Sequence, residues 1–476
     1  MPSALATPLG RSAPMGRHAL WWSASVGAVI ALAALQSWWL ALAGLLALAI
    51  VGWAVRYPDA CWMLLAVVLL GFFNLVPFLQ RPLFFWASLF LFASSAWLSV
   101  PARRQPIDLI DGPFWILAAA WLFWAAWSTL YAHDPMAGIK EVSRHVISFL
   151  ILLTYVIWLR DRAHAYRLLL WLERACVGMA LLYLGNAWLR GVTGHALLAW
   201  IGTAPPSPAE LGQMFASMVP LRLARLFAAR STRRVPQLLA LGVLAAGVVA
   251  SHSRTAILSM GVGVLALWWL RAREARRRAL TPVLVAAALM GAGVFAYHFA
   301  GRPEALSDFL SGRNLVWSAA LRAMREHPWV GTGPGNWGGW FSRHYVSADF
   351  LLHDSRANTF ALTPTVLRGE AHNLFLTKGA ESGWLSLVLL IALIVRWFVV
   401  ARRALRATQP DRGHAITLAC VAAMVGMVAF ALFEDGPIIG RARSEQIVVV
   451  WLIAVIPWLS LRGRAKAAAL PGEGAP

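Results

Sequence analysis

Apolar runs of 16 to 25 residues, broken by short arginine-bearing stretches, repeat from Leu20 almost to the C-terminus. Each is long enough to cross a hydrocarbon core of roughly 30 Å as an α-helix, and none alternates with the two-residue period of a membrane β-strand. The pattern predicts fourteen candidate helices, near 20–36, 37–55, 60–79, 82–100, 113–131, 144–159, 167–189, 206–228, 236–252, 255–271, 280–299, 373–400, 414–433 and 445–461. Only Gln36 and Ser37 separate the first two, and losing one hairpin gives twelve. Arg11 and Arg17 precede about 35 apolar residues, too many for the core of a cleaved signal peptide, so an uncleaved first helix pair is expected. The predicted fold class is all-α: a polytopic integral membrane protein of about 12–14 transmembrane helices.

One hydrophilic segment interrupts the pattern and divides the chain. Residues 1–300 read as an N-terminal helix bundle, 301–372 as a large outer loop with short surface helices, and 373–476 as C-terminal transmembrane helices and a tail. Within the loop, RNLVWSAALRAMRE at 313–326 sets Val316, Ala320 and Met324 against Arg313, Arg322, Arg325 and Glu326, an amphipathic helix expected at the membrane surface. HPWVGTGPGNWGGWF follows, with five glycines in nine residues. Its backbone N–H groups suit an anion cradle; a tight turn that redirects the loop is the favoured alternative.

Charge supplies the sidedness. Only 13% of residues are charged, yet the net charge is +21. In a soluble protein that excess suggests nucleic acid, but no basic stripe interleaves with aromatics as single-strand binding requires. With the N-terminus inside, most of the 42 Lys and Arg flank helices on the cytoplasmic side, and few occupy the short outer loops. This bias predicts that both termini are cytoplasmic, with Arg254 and the loop 301–372 outside. Cys61, Cys176 and Cys420 all fall in apolar runs and read as packing residues. His344, His353, Asp354 and His372 match no standard metal spacing. D-x-D, H-E-x-x-H and P-loop motifs are absent from the sequence, so no metal or cofactor is expected.

The candidate chemistry sits on the outer face. Ser251, His252, Ser253 and Arg254 form a polar knot between two uncharged runs. Arg254 reads either as an interfacial arginine snorkelling to water or as a phosphate fork; His252 reads as a structural residue. A histidine at a helix start is most often a surface or capping residue. His372 lies at the outer mouth of the bundle among arginines, where an imidazole can serve as a base near neutral pH, and Asn373 stands beside it. Arginines that hold a diphosphate and a base that deprotonates a nucleophile suit an enzyme acting on a diphosphate-linked lipid. A transporter would place ionisable residues along a mid-membrane path, for which Glu173–Arg174 and Glu381 are the candidates.

The ordered series S-x-S-R-T at 251–255, G-R-N-x-x-W at 312–317, H-P-W-V-G-x-G at 327–333, A-H-N-x-F-L at 371–376 and E-S-G-W-L-S at 381–386 resembles the O-antigen ligase and polymerase superfamily of membrane glycosyltransferases. The resemblance covers about 250–390. It implies a bacterial inner-membrane enzyme, active at the periplasmic face among membrane lipids. Such an enzyme moves a glycan from undecaprenyl diphosphate to a sugar hydroxyl of lipid A–core, with inversion and without metal or nucleotide. It further implies His372 as the base and Arg254 as a holder of the donor diphosphate, with Arg190 in the outer L-R-G-V-T-G turn and Arg313 as further donor-binding candidates. Members often carry a D-P-N-like run after the position of Arg190; this chain has PPSPAELGQ at 205–213, where Glu210 and Gln213 are the polar residues. A polymerase or a pilin-glycosylating transferase of the same superfamily is the nearest alternative, and a lipid-linked glycan transporter a more distant one. The single large late loop favours the ligase.

Overall fold

The computed structural model describes Tyr57, Asp59, Trp62 and residues 92–97, 111–159, 161–190, 208–228, 234–272, 313–345, 371–408, 412–436 and 444–469. The helices expected at 20–36, 37–55 and 280–299 lie outside the described residues, as does Cys61; those at 60–79 and 82–100 are described only at Trp62 and 92–97. Among the described residues every regular element is helical. Of the described helices, four, Pro135–Trp158, Arg162–Leu189, Leu374–Ala407 and Gly413–Ala431, are long and apolar enough to cross a membrane. The chain is an all-helical polytopic membrane protein, the architecture in which each span satisfies its own backbone.

The helices are α1 (Gly112–Thr129), α2 (Pro135–Trp158), α3 (Arg162–Arg190), α4 (Pro208–Ala228), α5 (Arg234–Ala250), α6 (Arg254–Arg271), α7 (Arg313–Glu326), α8 (Trp337–Tyr345), α9 (Leu374–Ala407), α10 (Arg412–Ala431) and α11 (Ser444–Ala469). The chain divides into two compact units, 1–108 with 153–160, and 109–152 with 161–476. In the first, Trp62 Nε1 donates to the Tyr155 hydroxyl at 2.8 Å and Phe92 meets Trp158 edge-on at 5.2 Å. The second contains every candidate site residue.

Small residues set the crossing of α6 and α10. Ser259 Oγ donates to the Gly426 carbonyl at 2.7 Å. A Cβ at Gly426 would lie 2.6 Å from the Ser259 carbonyl oxygen, and one at Gly263 3.3 Å from that of Ala422. Backbones approach this closely only where side chains are missing. The pairs 259/426 and 263/422 run in opposite senses, so the helices are antiparallel. Five residues separate Ser259 from Arg254 and five separate Gly426 from Ala431, about 8 Å of helix in each case. Arg254 therefore stands level with the end of α10. Gly212 packs on Ser251 and Ala256, and the Tyr183 hydroxyl donates to the Ala250 carbonyl at 3.1 Å, bringing the start of α4 and the last turns of α3 to the same end.

The opposite end holds its own ion pairs. Glu173 meets Arg222 and Arg225 at 2.5 Å, and Asp111 takes Arg396 through two nitrogens at 2.8 and 2.5 Å. Arg162, Arg234, Arg271 and Arg406 also fall at helix ends there.

Helix α9 is broken at Gly383, whose φ of 78° and ψ of 179° belong to a region open essentially to glycine. The break strands carbonyls that a continuous helix would use, and each finds another donor. Thr332 N–H reaches the Ala380 carbonyl at 2.9 Å, Gly333 N–H that of Glu381 at 2.8 Å, and Trp124 Nε1 that of Ser382 at 2.9 Å. Trp384 N–H turns to the Pro328 carbonyl at 2.9 Å. A Cβ on residue 383 would collide with the Trp329 carbonyl. Gly383→Ala is expected to destabilise the protein by more than about 1 kcal/mol, seen as a lower thermal midpoint in detergent; an unchanged midpoint would mean that the break tolerates a side chain.

Candidate functional site

The H-P-W-V-G-T-G-P-G-N stretch and the E-S-G-W stretch are thus two halves of one device. The amides of Gly331, Thr332, Gly333 and Asn336 all donate to backbone carbonyls, and Gly335 N–H donates to Glu381 Oε1 at 2.9 Å. The anion met by this glycine-rich turn is a carboxylate of the protein itself. Asn336 closes the turn on α2 by exchanging hydrogen bonds with the Asp134 backbone, at 2.8 and 3.0 Å. The favoured reading, a turn that redirects the loop, accounts for these contacts.

Helix α7 does not spend its apolar face on lipid. Val316, Ala319, Ala320, Ala323 and Met324 are buried against Trp337, Trp340 and Phe341 of α8 and Ala371 and Ala380 beside and within α9. This packing carries the first residue of α7, Arg313, to the turn after α10. There the Arg313 guanidinium pairs with Glu434 Oε1, and His372 Nδ1 donates to Glu434 Oε2 at 2.9 Å. One carboxylate bridges two residues that lie 59 positions apart in the chain. The side chains of His372, Glu434 and Arg313 are 14, 15 and 20% exposed, sheltered but reachable.

The local fold fixes the imidazole. His372 adopts a left-handed backbone, φ 49°, immediately before the helix. Asn373 then caps α9, its Oδ1 accepting from Leu376 N–H at 3.0 Å while its Nδ2 donates to the Leu432 carbonyl at 2.8 Å. The start of α9 is thereby tied to the turn that carries Glu434. Asn373 thus orients the start of the helix.

Arg254 opens α6 at this same end, after a cap in which Ser253 Oγ accepts from Ala256 N–H at 3.2 Å. Arg254 is exposed, and the helix dipole adds positive potential around it. His252 makes the tight turn between α5 and α6, with φ 52° and its N–H on the Val249 carbonyl at 3.0 Å. Arg190 is the last residue of α3. Its backbone lies about 10 Å of helix beyond Tyr183, on the side of Arg254. Gln213 is buried within the bundle, where its amide donates to Ser217 Oγ at 3.3 Å, while Glu210 stands half-buried at the start of α4.

The structure therefore gathers Arg313, Glu434 and His372 into contact, with Arg254 and the backbone of Arg190 at the same end. The sequence reading missed Glu434. The signal was FED at 433–435, two carboxylates at the end of an apolar helix on the face already holding the candidate base.

Residues 239–391 match the family described as O-antigen ligase. The match bears out the resemblance carried by the motifs, and it supports an O-antigen ligase/polymerase-type glycosyltransferase function. It includes Arg254, Arg313 and His372; Arg190 and Glu434 fall outside it. No curated protein matches the chain.

Proposed function

We propose, from the O-antigen ligase match over 239–391, that this protein moves a glycan from undecaprenyl diphosphate to a sugar hydroxyl of lipid A–core. The reaction proceeds at the periplasmic face of the bacterial inner membrane, with both termini cytoplasmic. The observation that carries the reading is the Arg313–Glu434–His372 contact at the bundle end that also bears Arg254. The crowding of arginines at the other end supports the assigned sidedness.

Donation from Nδ1–H to Glu434 makes Nε2 the basic atom of the His372 ring. Nε2 takes the proton of the acceptor hydroxyl as its oxygen attacks the anomeric carbon. The bond from that carbon to the diphosphate oxygen breaks on the opposite face, so the configuration inverts. Arg254, with Arg190, holds the diphosphate and stabilises the charge it gains on leaving. Arg313 steadies the carboxylate that orients the base. No step requires a metal ion.

The two carboxylates that would suit a transporter are engaged elsewhere, and the Arg174 guanidinium lies over the Trp171 ring. Glu173 lies between Arg222 and Arg225, and Glu381 between Lys378 and the Gly335 amide. This favours an enzyme at the bundle end over a polar path through its middle.

Purified protein reconstituted with a lipid-diphosphate glycan, a chelator and alternative acceptors tests the reading. Transfer to lipid A–core is expected. Longer donor-linked glycan would make it a polymerase, modified pilin a protein glycosyltransferase, and dependence on added metal would overturn the mechanism. Arg254→Gln is expected to lower kcat/KM for the donor by about 10²-fold. An unchanged value would remove Arg254 from the donor site.

A further inference from the structure

Beside the short first segment of α9 lies a group of charges that the proposed reaction does not use. Lys378 Nζ donates to Glu141 Oε1 and Glu381 Oε2, each at 2.9 Å. Lys378, Glu141 and Glu381 are at most 1% exposed. Glu141 Oε2 also accepts from Arg144 at 3.0 Å, and His145 Nε2 stands 3.6 Å from Glu141 Oε1.

The position of this lysine matters more than its burial. Residues 374–382 form nine residues of helix between the His372 turn and the Gly383 break. The upper end is held by the Asn373 cap and by Ala371 N–H donating to Thr377 Oγ1 at 3.2 Å. At the lower end, Glu381 carries the Gly335 amide on one carboxylate oxygen and Lys378 on the other. Lys378 also reaches across to α2 through Glu141. One ammonium thus joins α2, α9 and, through Glu381, the glycine-rich turn. A buried ion pair is weak support for stability by itself, but removing one partner leaves an uncompensated charge in a dry site. Neutralising Lys378 together with Glu381 avoids that, because Glu141 keeps its ion pair with Arg144.

We propose that Lys378 is a positioning residue for the candidate site, whose charge balance with Glu141 and Glu381 seats the first segment of α9 and, with it, His372. Its effect on rate rests on the reading of His372 as the base; its effect on the seat of the helix does not. Three forms of the full-length protein in detergent or nanodiscs separate the two: wild type, Lys378→Met and the double variant Lys378→Met/Glu381→Gln. Glutamine at 381 retains an acceptor for the Gly335 amide. In Lys378→Met, the amides of Thr332, Gly333 and Gly335 are expected to exchange hydrogen at least about tenfold faster. Transfer kcat should fall at least about tenfold, while donor KM stays within about threefold. The double variant is expected to return both exchange and kcat to within about threefold of wild type.

Wild-type exchange in Lys378→Met would overturn the proposal. So would a double variant no better than the single one, whether in yield of folded protein or in exchange. A wild-type protein that protects these amides but transfers no glycan would sink the functional reading and leave the seating role standing.

Discussion

Replacing His372 with alanine is expected to lower glycan transfer by up to about 10⁴-fold, the upper range for removing a positioned general base. The loss should fall on kcat, because the groups assigned to the donor diphosphate, Arg254 and Arg190, are untouched. Protein yield and thermal midpoint should change little. The helix start is held by Asn373, through Leu376 N–H and the Leu432 carbonyl, and not by the imidazole. Alanine at a left-handed position costs something, so His372→Asn, a residue more tolerant of that conformation, is the better control for backbone strain. Transfer that survives in both variants would remove His372 from the chemistry.

Glu434→Gln is expected to be nearly as damaging, with kcat lower by roughly 10³-fold. An amide can offer its N–H₂ to the ring nitrogen that now donates to the carboxylate, favouring the unproductive tautomer, as in triads where the orienting acid becomes an amide. It also removes the negative charge that steadies an imidazolium and pairs with Arg313. Glu434→Asp retains a carboxylate with a shorter reach and should recover part of the loss. A purely structural role would instead reduce folded protein in both variants, without separating kcat from donor KM. Equal activity of Glu434→Gln and wild type would dissolve the proposed pairing.

The apolar pattern located helices well and their polar first turns poorly. The run expected at 206–228 is found at Pro208–Ala228 and that at 255–271 at Arg254–Arg271. The run expected from 144 begins at Pro135. Its first turns carry Lys140, Glu141 and Arg144, which look like a loop when hydropathy alone is read. Asp134 Oδ1 caps that start through the Met136 and Ala137 amides at 3.0 and 3.1 Å, and the buried Glu141 is compensated by Lys378, 237 residues away. No local pattern reveals such a partner. The site shows the same division. His372, Arg254 and Arg313 could be singled out because each departs from its apolar surroundings. Glu434 acquires meaning only when α7 and the α9 start pack together and bring it between two of them.

The interlock between the helix break and the glycine-rich turn bears on how proteins of this architecture can diversify. The chain leaves the turn through α8 and returns at Ala371, and both points are anchored: α8 by its aromatic packing, Ala371 by burial and its hydrogen bond to Thr377. Whatever joins them meets fixed terminals. Both anchors are made by residues outside 346–370, so changes of length or sequence in that stretch are expected to leave the Arg313–Glu434–His372 contact in place. The two anchors act as a socket whose terminals are set independently of what is inserted between them.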